Sequence, residues 1–146
     1  MKILVALDDS PNSARAAHEA AHLFPGSQFY VINVTEVPQM ALLAAAEFGA
    51  VLTITNEELK TQGPSEADIA DLARRSGLDK VTVLTTVGDP STAICRAADE
   101  HDVDVVVVGS HDKGVLRRLL DPSVADSVVH RSHRPVLVVG TRPPAR

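Results

Sequence analysis

Apolar residues along this chain fall into short, β-branched runs separated by longer stretches of helical periodicity. The run from Val103 to Val108 is too continuous to have a solvent face, and it predicts a strand covered on both sides. Lys2 to Leu7, Phe29 to Val34, Lys80 to Val87 and Pro135 to Val139 predict four more strands. Between them, Ser10 is placed to cap a helix and Pro11 to occupy its first position, where no backbone donor is needed. Ala14, Ala17, Ala21 and Phe24 form its expected inward stripe, and Pro25-Gly26 its stop. Ser65-x-x-Asp68 is a capping box before the stripe Ile69, Leu72 and Ala73, which ends at Gly77. Gly88-Asp89-Pro90 opens a helix with Ile94, Ala97 and Ala98 inward. A last helix runs from Pro122 to Arg131, with Val124, Val128 and Val129 expected to face the sheet. The stretch from Glu36 to Gly63 is ambiguous. Met40 to Phe48 favours helix, Val51 to Thr55 does not, and Thr55-x-x-Glu58 resembles another capping box.

Strands alternating with helices predict an α/β fold: a single doubly wound, flavodoxin- or Rossmann-like domain with a five-stranded, mostly parallel sheet. Two strand orders fit, 2-1-3-4-5 and 3-2-1-4-5, and the expectation is the second. There the first strand lies beside the Val103–Val108 strand, so Asp8 and Gly109 meet at a crevice where strand order reverses. Residues 1–141 form the expected domain, and 142–146 a frayed tail.

The 146 residues are 45% hydrophobic but only 3% aromatic, so Val, Leu, Ile and Ala must fill the core. A net charge of -5 argues against nucleic acid or an anionic membrane as partner, since both require excess Lys and Arg. No apolar run approaches the ~20 residues of a membrane span. Asp8-Asp9 interrupts the N-terminal apolar run too early for a signal peptide, and a single cysteine, Cys95, allows no internal disulfide. A cytoplasmic protein is expected.

Three pieces resemble the universal stress protein family, and the likeness extends over essentially the whole chain. They are Ile3-Leu4-Val5-Ala6-Leu7-Asp8-Asp9-Ser10, Val87-Gly88-Asp89-Pro90, and Val107-Val108-Gly109-Ser110 continuing through Ser123-Val124 to Arg134-Pro135-Val136-Leu137-Val138-Val139. Nucleotide-binding members of that family carry G-x-x-G, nine residues, then G-[S/T]. The resemblance implies that Asp8 and the backbone near Val34 hold an adenosine, while Val108, Gly109, Ser123 and Val124 line ribose and phosphates. It implies ATP or another adenine nucleotide, with Mg²⁺, as an optional ligand rather than an obligatory cofactor. It also implies a homodimer.

Two departures from the motif bear on affinity. Gly109 fills the first position, but Asp112 stands at the second glycine and Pro122 at the third. Pro122 has no N–H to offer a phosphate, and Asp121 becomes the natural cap at the helix end a phosphate would use. Two carboxylates ~4–6 Å from a triphosphate cost on the order of one to a few kcal/mol at a partly wet site. Lys113, Arg117, Arg118 or Mg²⁺ would offset part of this. The expected affinity is weak.

Other signals read as surface or core. His18-Glu19-x-x-His22 matches the H-E-x-x-H zinc pattern, but its histidines are expected at the polar margin of a covering helix with no third ligand. His130-x-x-His133 spans a helix end and is expected at the surface, and Cys95 is expected to be an inert, half-buried thiol. Asp8 is open to two readings, ligand or cap for the helix that starts two residues on. No nucleophile elbow, Walker loop or dinucleotide fingerprint is present. The expectation is a non-enzymatic binding and signalling dimer, paired through the apolar edge strand Pro135 to Val139. The rivals are an interaction dimer with no nucleotide and a weak nucleotide hydrolase.

Overall fold

The computed structural model describes residues 1–37, 46–47, 63–110 and 124–140. Its elements follow in order as β1 (Lys2–Ala6), α1 (Pro11–Leu23), β2 (Gln28–Thr35), α2 (Glu66–Arg75), β3 (Val81–Val87), α3 (Pro90–Glu100), β4 (Val105–Gly109), α4 (Val124–Arg131) and β5 (Val136–Val139). The strands form one sheet in the order β3-β2-β1-β4-β5, and every pairing is parallel. The expected order holds, and the sheet is fully rather than mostly parallel. The chain winds outward from β1 to β3, then crosses back to β4, so strand order reverses between β1 and β4.

The β-branched runs form strands because their side chains are buried on both faces. Ile3, Leu4 and Val5 are all inaccessible, each stabilising the fold by roughly 1.5–3 kcal/mol. Ile3, Val5, Leu7, Phe29, Val31 and Val107 pack under α1 and α2 with Ala16, Ala17, Ala20, Ile69 and Ala73. Leu4, Ile32, Val106 and Val108 pack under α3 and α4 with Ile94, Ala97, Ala98, Ala125 and Val128.

The helix starts are those the sequence announces. Ser10 Oγ accepts from Ser13 N at 3.3 Å. Ser65 Oγ accepts from Asp68 N at 3.2 Å while Asp68 Oδ2 accepts from Ser65 N at 3.1 Å, closing the capping box. Asp89 Oδ2 accepts from Thr92 N at 3.0 Å. Gly77, at φ +90°, supplies the left-handed turn after α2.

Two faces differ from expectation. In α1 the buried residues are Ser13, Ala16, Ala17 and Ala20, so the inward face is turned by about 70° from the Ala14/Ala17/Ala21/Phe24 stripe. Small residues all around the helix left its rotation undetermined, and close packing on the sheet selected the smallest side chains. In α4, Ala125 and Val128 are buried, whereas Val129 is 48% exposed. Most of the ambiguous stretch (38–45 and 48–62), the Thr55-x-x-Glu58 box, Lys113, Arg117, Arg118 and the tail from 142 lie outside the described residues. No helix among the described residues is long and apolar enough to cross a membrane.

Candidate functional site

The register Leu4↔Val106 and Val5↔Val107 brings the residues after β1 alongside the end of β4, at the reversal of strand order. This is where open α/β sheets bind ligands. Three interactions fix the exit from β1. Leu7 N donates to Ile32 O at 2.9 Å. Buried Asn33 Nδ2 donates to Leu7 O at 2.9 Å. Asp8 N donates to Ser13 Oγ at 3.0 Å.

Asp8 is exposed, and its Oδ1 accepts from Ser10 N at 2.8 Å and from the buried Ser13 hydroxyl at 2.7 Å. Asp8 thus braces the turn that carries the cap Ser10 and holds the Ser13 side chain, rather than capping α1 itself. The positive end of α1 is already matched by Asp8 and Ser10, so a ligand phosphate gains little there.

Gly109 ends β4 against the first turn of α1. A Cβ at this position would lie 2.6 Å from Asn12 O. Glycine is therefore required by packing between β4 and α1, whatever else it contacts. Beyond it, Ser110 N donates to Val139 O at 2.9 Å, tying the start of the following loop to β5.

Val34, Val108 and Val124 share the α3/α4 side of the sheet, Val108 buried and the other two half-buried against it. The fold thus brings Asp8, Gly109 and Val108 to the reversal point, with Val34 and Val124 on one of its flanks. Ser123, Asp112 and Pro122 lie outside the described residues. These described side chains suit the nucleoside half of a nucleotide, with apolar walls and a carboxylate acceptor for hydroxyls. The amides of Leu7, Asp8, Ser10, Ser13 and Ser110 all donate within the chain, so these five are not offered to a phosphate.

Sequence reasoning missed Asn12, Ser13 and Asn33, which shape the crevice without lining it. The signal for Asn33 was available, since it is the one amide in the apolar run from Phe29 to Val34. Asp8-x-Ser10-x-x-Ser13 likewise has the spacing of a doubled cap.

The remaining candidates are accounted for by the fold. Cys95 is half-buried, and burial, with the nearby Asp99 carboxylate, raises its pKa, which disfavours the reactive thiolate. Arg131 Nη1 donates to Thr92 Oγ1 at 3.0 Å and lies 3.8 Å from Asp89, tying α4 to the start of α3. Arg134 joins the entry to β5 to Asp102 at 2.8 Å and Asp99 at 3.5 Å. No group of three His, Cys, Asp or Glu side chains among the described residues is arranged to hold a metal.

Comparison with known proteins agrees with this architecture. A universal stress protein of Methanocaldococcus jannaschii is 30% identical over 142 residues, covering 94% of this chain and 81% of that protein. The universal stress protein YxiE of Bacillus subtilis is 28% identical over 145 residues, covering 94% and 97%. Among solved structures, a universal stress protein in complex with cAMP superposes with a TM-score of 0.69 at 23% identity, covering 97% of this chain and 98% of the other. A universal stress protein of Archaeoglobus fulgidus in complex with dAMP gives 0.55 at 22% identity, covering 95% and 97%. The family model described as the universal stress protein family matches residues 1–140, and with the sheet order and the crevice at its reversal point this establishes that the chain belongs to the universal stress protein family.

Proposed function

We infer that this chain is a non-enzymatic stress-response binding module that takes an adenine nucleotide weakly at the crevice between β1 and β4. The observation that carries the reading is the juxtaposition of Asp8 and the Val108–Gly109 strand end at the reversal point, in a family with members that hold cAMP and dAMP. Asp8 and the Val34 backbone would take the adenosine, while Val108, Gly109, Ser123 and Val124 would line the ribose and phosphates. Affinity is limited by chemistry legible in the sequence: Pro122 withholds an amide, and Asp112 and Asp121 bring negative charge to the phosphate end. Mg²⁺ would act by offsetting that charge. A role in the cytoplasm accords with the single, half-buried cysteine.

The proposal includes a homodimer through β5. That strand lies at one edge of the sheet, and Val138 is 40% exposed on it. An apolar edge with unpaired backbone groups is a liability unless covered, and a second copy covers it by a two-fold, self-complementary contact.

A second reading, an interaction dimer with no nucleotide, is favoured by the engagement of Asp8 Oδ1 with Ser10 and Ser13. The same engagement argues against hydrolysis with Asp8 as the general base. Calorimetric titration of Asp8→Ala with AMP separates the two binding readings. Losing the hydrogen bonds to Ser10 N and the Ser13 hydroxyl costs the apo protein on the order of 1–3 kcal/mol, so the titration is run well below the thermal midpoint. A roughly tenfold or larger loss of AMP affinity supports the nucleotide site. Unchanged affinity removes Asp8 from it, and no binding by either protein favours the ligand-free module.

A further inference from the structure

The chain has six histidines. Three of those among the described residues are engaged by the fold. The His101 ring packs on Tyr30 with centroids 4.7 Å apart, His130 Nδ1 donates to Asp126 O at 2.7 Å, and His133 Nδ1 donates to Asp99 Oδ2 at 3.0 Å. His18 and His22 differ. Both are exposed on α1, and neither imidazole enters a hydrogen bond or ion pair among the described residues.

The observed rotation of α1 decides where this pair points. With Ser13, Ala16, Ala17 and Ala20 buried, about 100° per residue sets the midpoint of His18 and His22 roughly 170° from the centre of the buried face. They stand at the middle of the solvent face, not at its margin. Residues four apart on a helix have Cβ atoms about 5–6 Å from each other. Two imidazoles so placed can close on one ion, each nitrogen holding it at about 2.0–2.1 Å. His22 also lies in the last turn of α1, where the exposed carbonyl ends favour a cation. Arg15 and Glu19 flank the pair with opposite charges, so coordination chemistry rather than net charge selects the ion.

We propose that His18 and His22 form a surface chelate for a late first-row divalent cation, of the Cu²⁺, Ni²⁺ or Zn²⁺ class, with water completing the coordination. Imidazole pairs prefer these ions to Mg²⁺ or Ca²⁺, which take oxygen ligands. The H-E-x-x-H motif is thus a two-ligand binding site rather than a hydrolytic zinc centre. No third protein donor joins the pair among the described residues, and Glu19 lies about 100° around the helix from His18.

The test is calorimetric titration of the untagged, full-length chain with Ni²⁺ at neutral pH. One ion per chain is expected. His18→Ala and His22→Ala should each weaken binding at least tenfold, and the double variant should be little worse than either, because a chelate is lost with its first arm. His130→Ala is expected to bind as the parent does. The double variant Glu19→His/His22→Ala keeps two adjacent histidines but points them about 100° apart, and it should lose the site. Absence of Ni²⁺ binding, retention in His18→Ala or in the rearranged pair, or loss in His130→Ala would each overturn the proposal. All these positions except Glu19 are exposed, and circular dichroism of each variant confirms that a loss is not unfolding.

Discussion

Replacing Gly109 by alanine should be among the most damaging single-methyl additions to this fold, and the reason is geometric. The added Cβ would lie 2.6 Å from Asn12 O, 2.8 Å from Asn12 C and 3.3 Å from Asn12 Cβ. Carbon contacts are optimal near 3.5–4.0 Å, so the overlap with Asn12 backbone atoms approaches an ångström. No flexible side chain can swing aside, because two of the three atoms are main chain. The first turn of α1 is itself pinned, by Pro11 at its first position and by the Ser13 hydroxyl on Asp8 Oδ1. Overpacking of this kind costs about 1–3 kcal/mol, and the rigid surroundings point to the upper half of that range. For a chain of this length each kcal/mol moves the midpoint by roughly 2–4 °C. Gly109→Ala should therefore melt about 4–12 °C lower and show a reduced urea midpoint with an unchanged slope. The control is Gly140→Ala, whose Cβ would meet Ser110 Oγ at an ordinary 3.9 Å and should stay within about 0.5 kcal/mol of the parent. Equal stability of the two variants would refute the claim that β4 and α1 require glycine at their contact.

Two further outcomes are expected. Hydrogen bonds from Ser65 hold Asp68 below the usual carboxylate range, and those from Thr92 and Ser91 do the same for Asp89. Folded pKa values below the unfolded value of about 3.9 stabilise fully above it, and the contribution is lost as pH falls through the folded values. Asp68→Asn/Asp89→Asn keeps capping residues but removes the titration, so its thermal midpoint should fall less steeply below pH 4 than the parent's; parallel acid limbs would contradict this. At the β5 edge, Val138→Asp places two like charges in a two-fold contact, and sedimentation should find monomer or aggregate where the parent is dimeric at micromolar concentration. A monomeric parent, or a dimer indifferent to the substitution, would remove that interface.

How much was legible in the sequence follows from which interactions are local. Ser10, Ser65 and Asp89 announced their helices because capping needs only neighbours three residues away. The parallel sheet was legible because buried parallel strands are continuous runs, Val105 to Val108 above all, although those runs alone fit two strand orders. The rotation of α1 was not, since alanines on several sides leave the choice to packing against the sheet. Val129 was misread for a related reason: an eight-residue helix over the sheet near its edge buries a narrow strip, filled by Ala125 and Val128. At the site, the adjacency of the β1 and β4 ends could be read once the 3-2-1-4-5 order was chosen. The packing demand on Gly109 could not, because its partner Asn12 lies nearly a hundred residues earlier in the chain and meets it only in the folded state.

The central claim is weak adenine-nucleotide binding limited by Asp112 and Pro122, and calorimetric titration with ATP and Mg²⁺ tests it most directly. The parent should bind more weakly than low micromolar. Asp112→Gly/Pro122→Gly removes one carboxylate and restores one amide, and a gain of about 1.4–2.8 kcal/mol corresponds to roughly ten- to a hundredfold tighter binding. An unaltered chain that already binds ATP at low micromolar or better, or a double variant no tighter than its parent, would contradict the account.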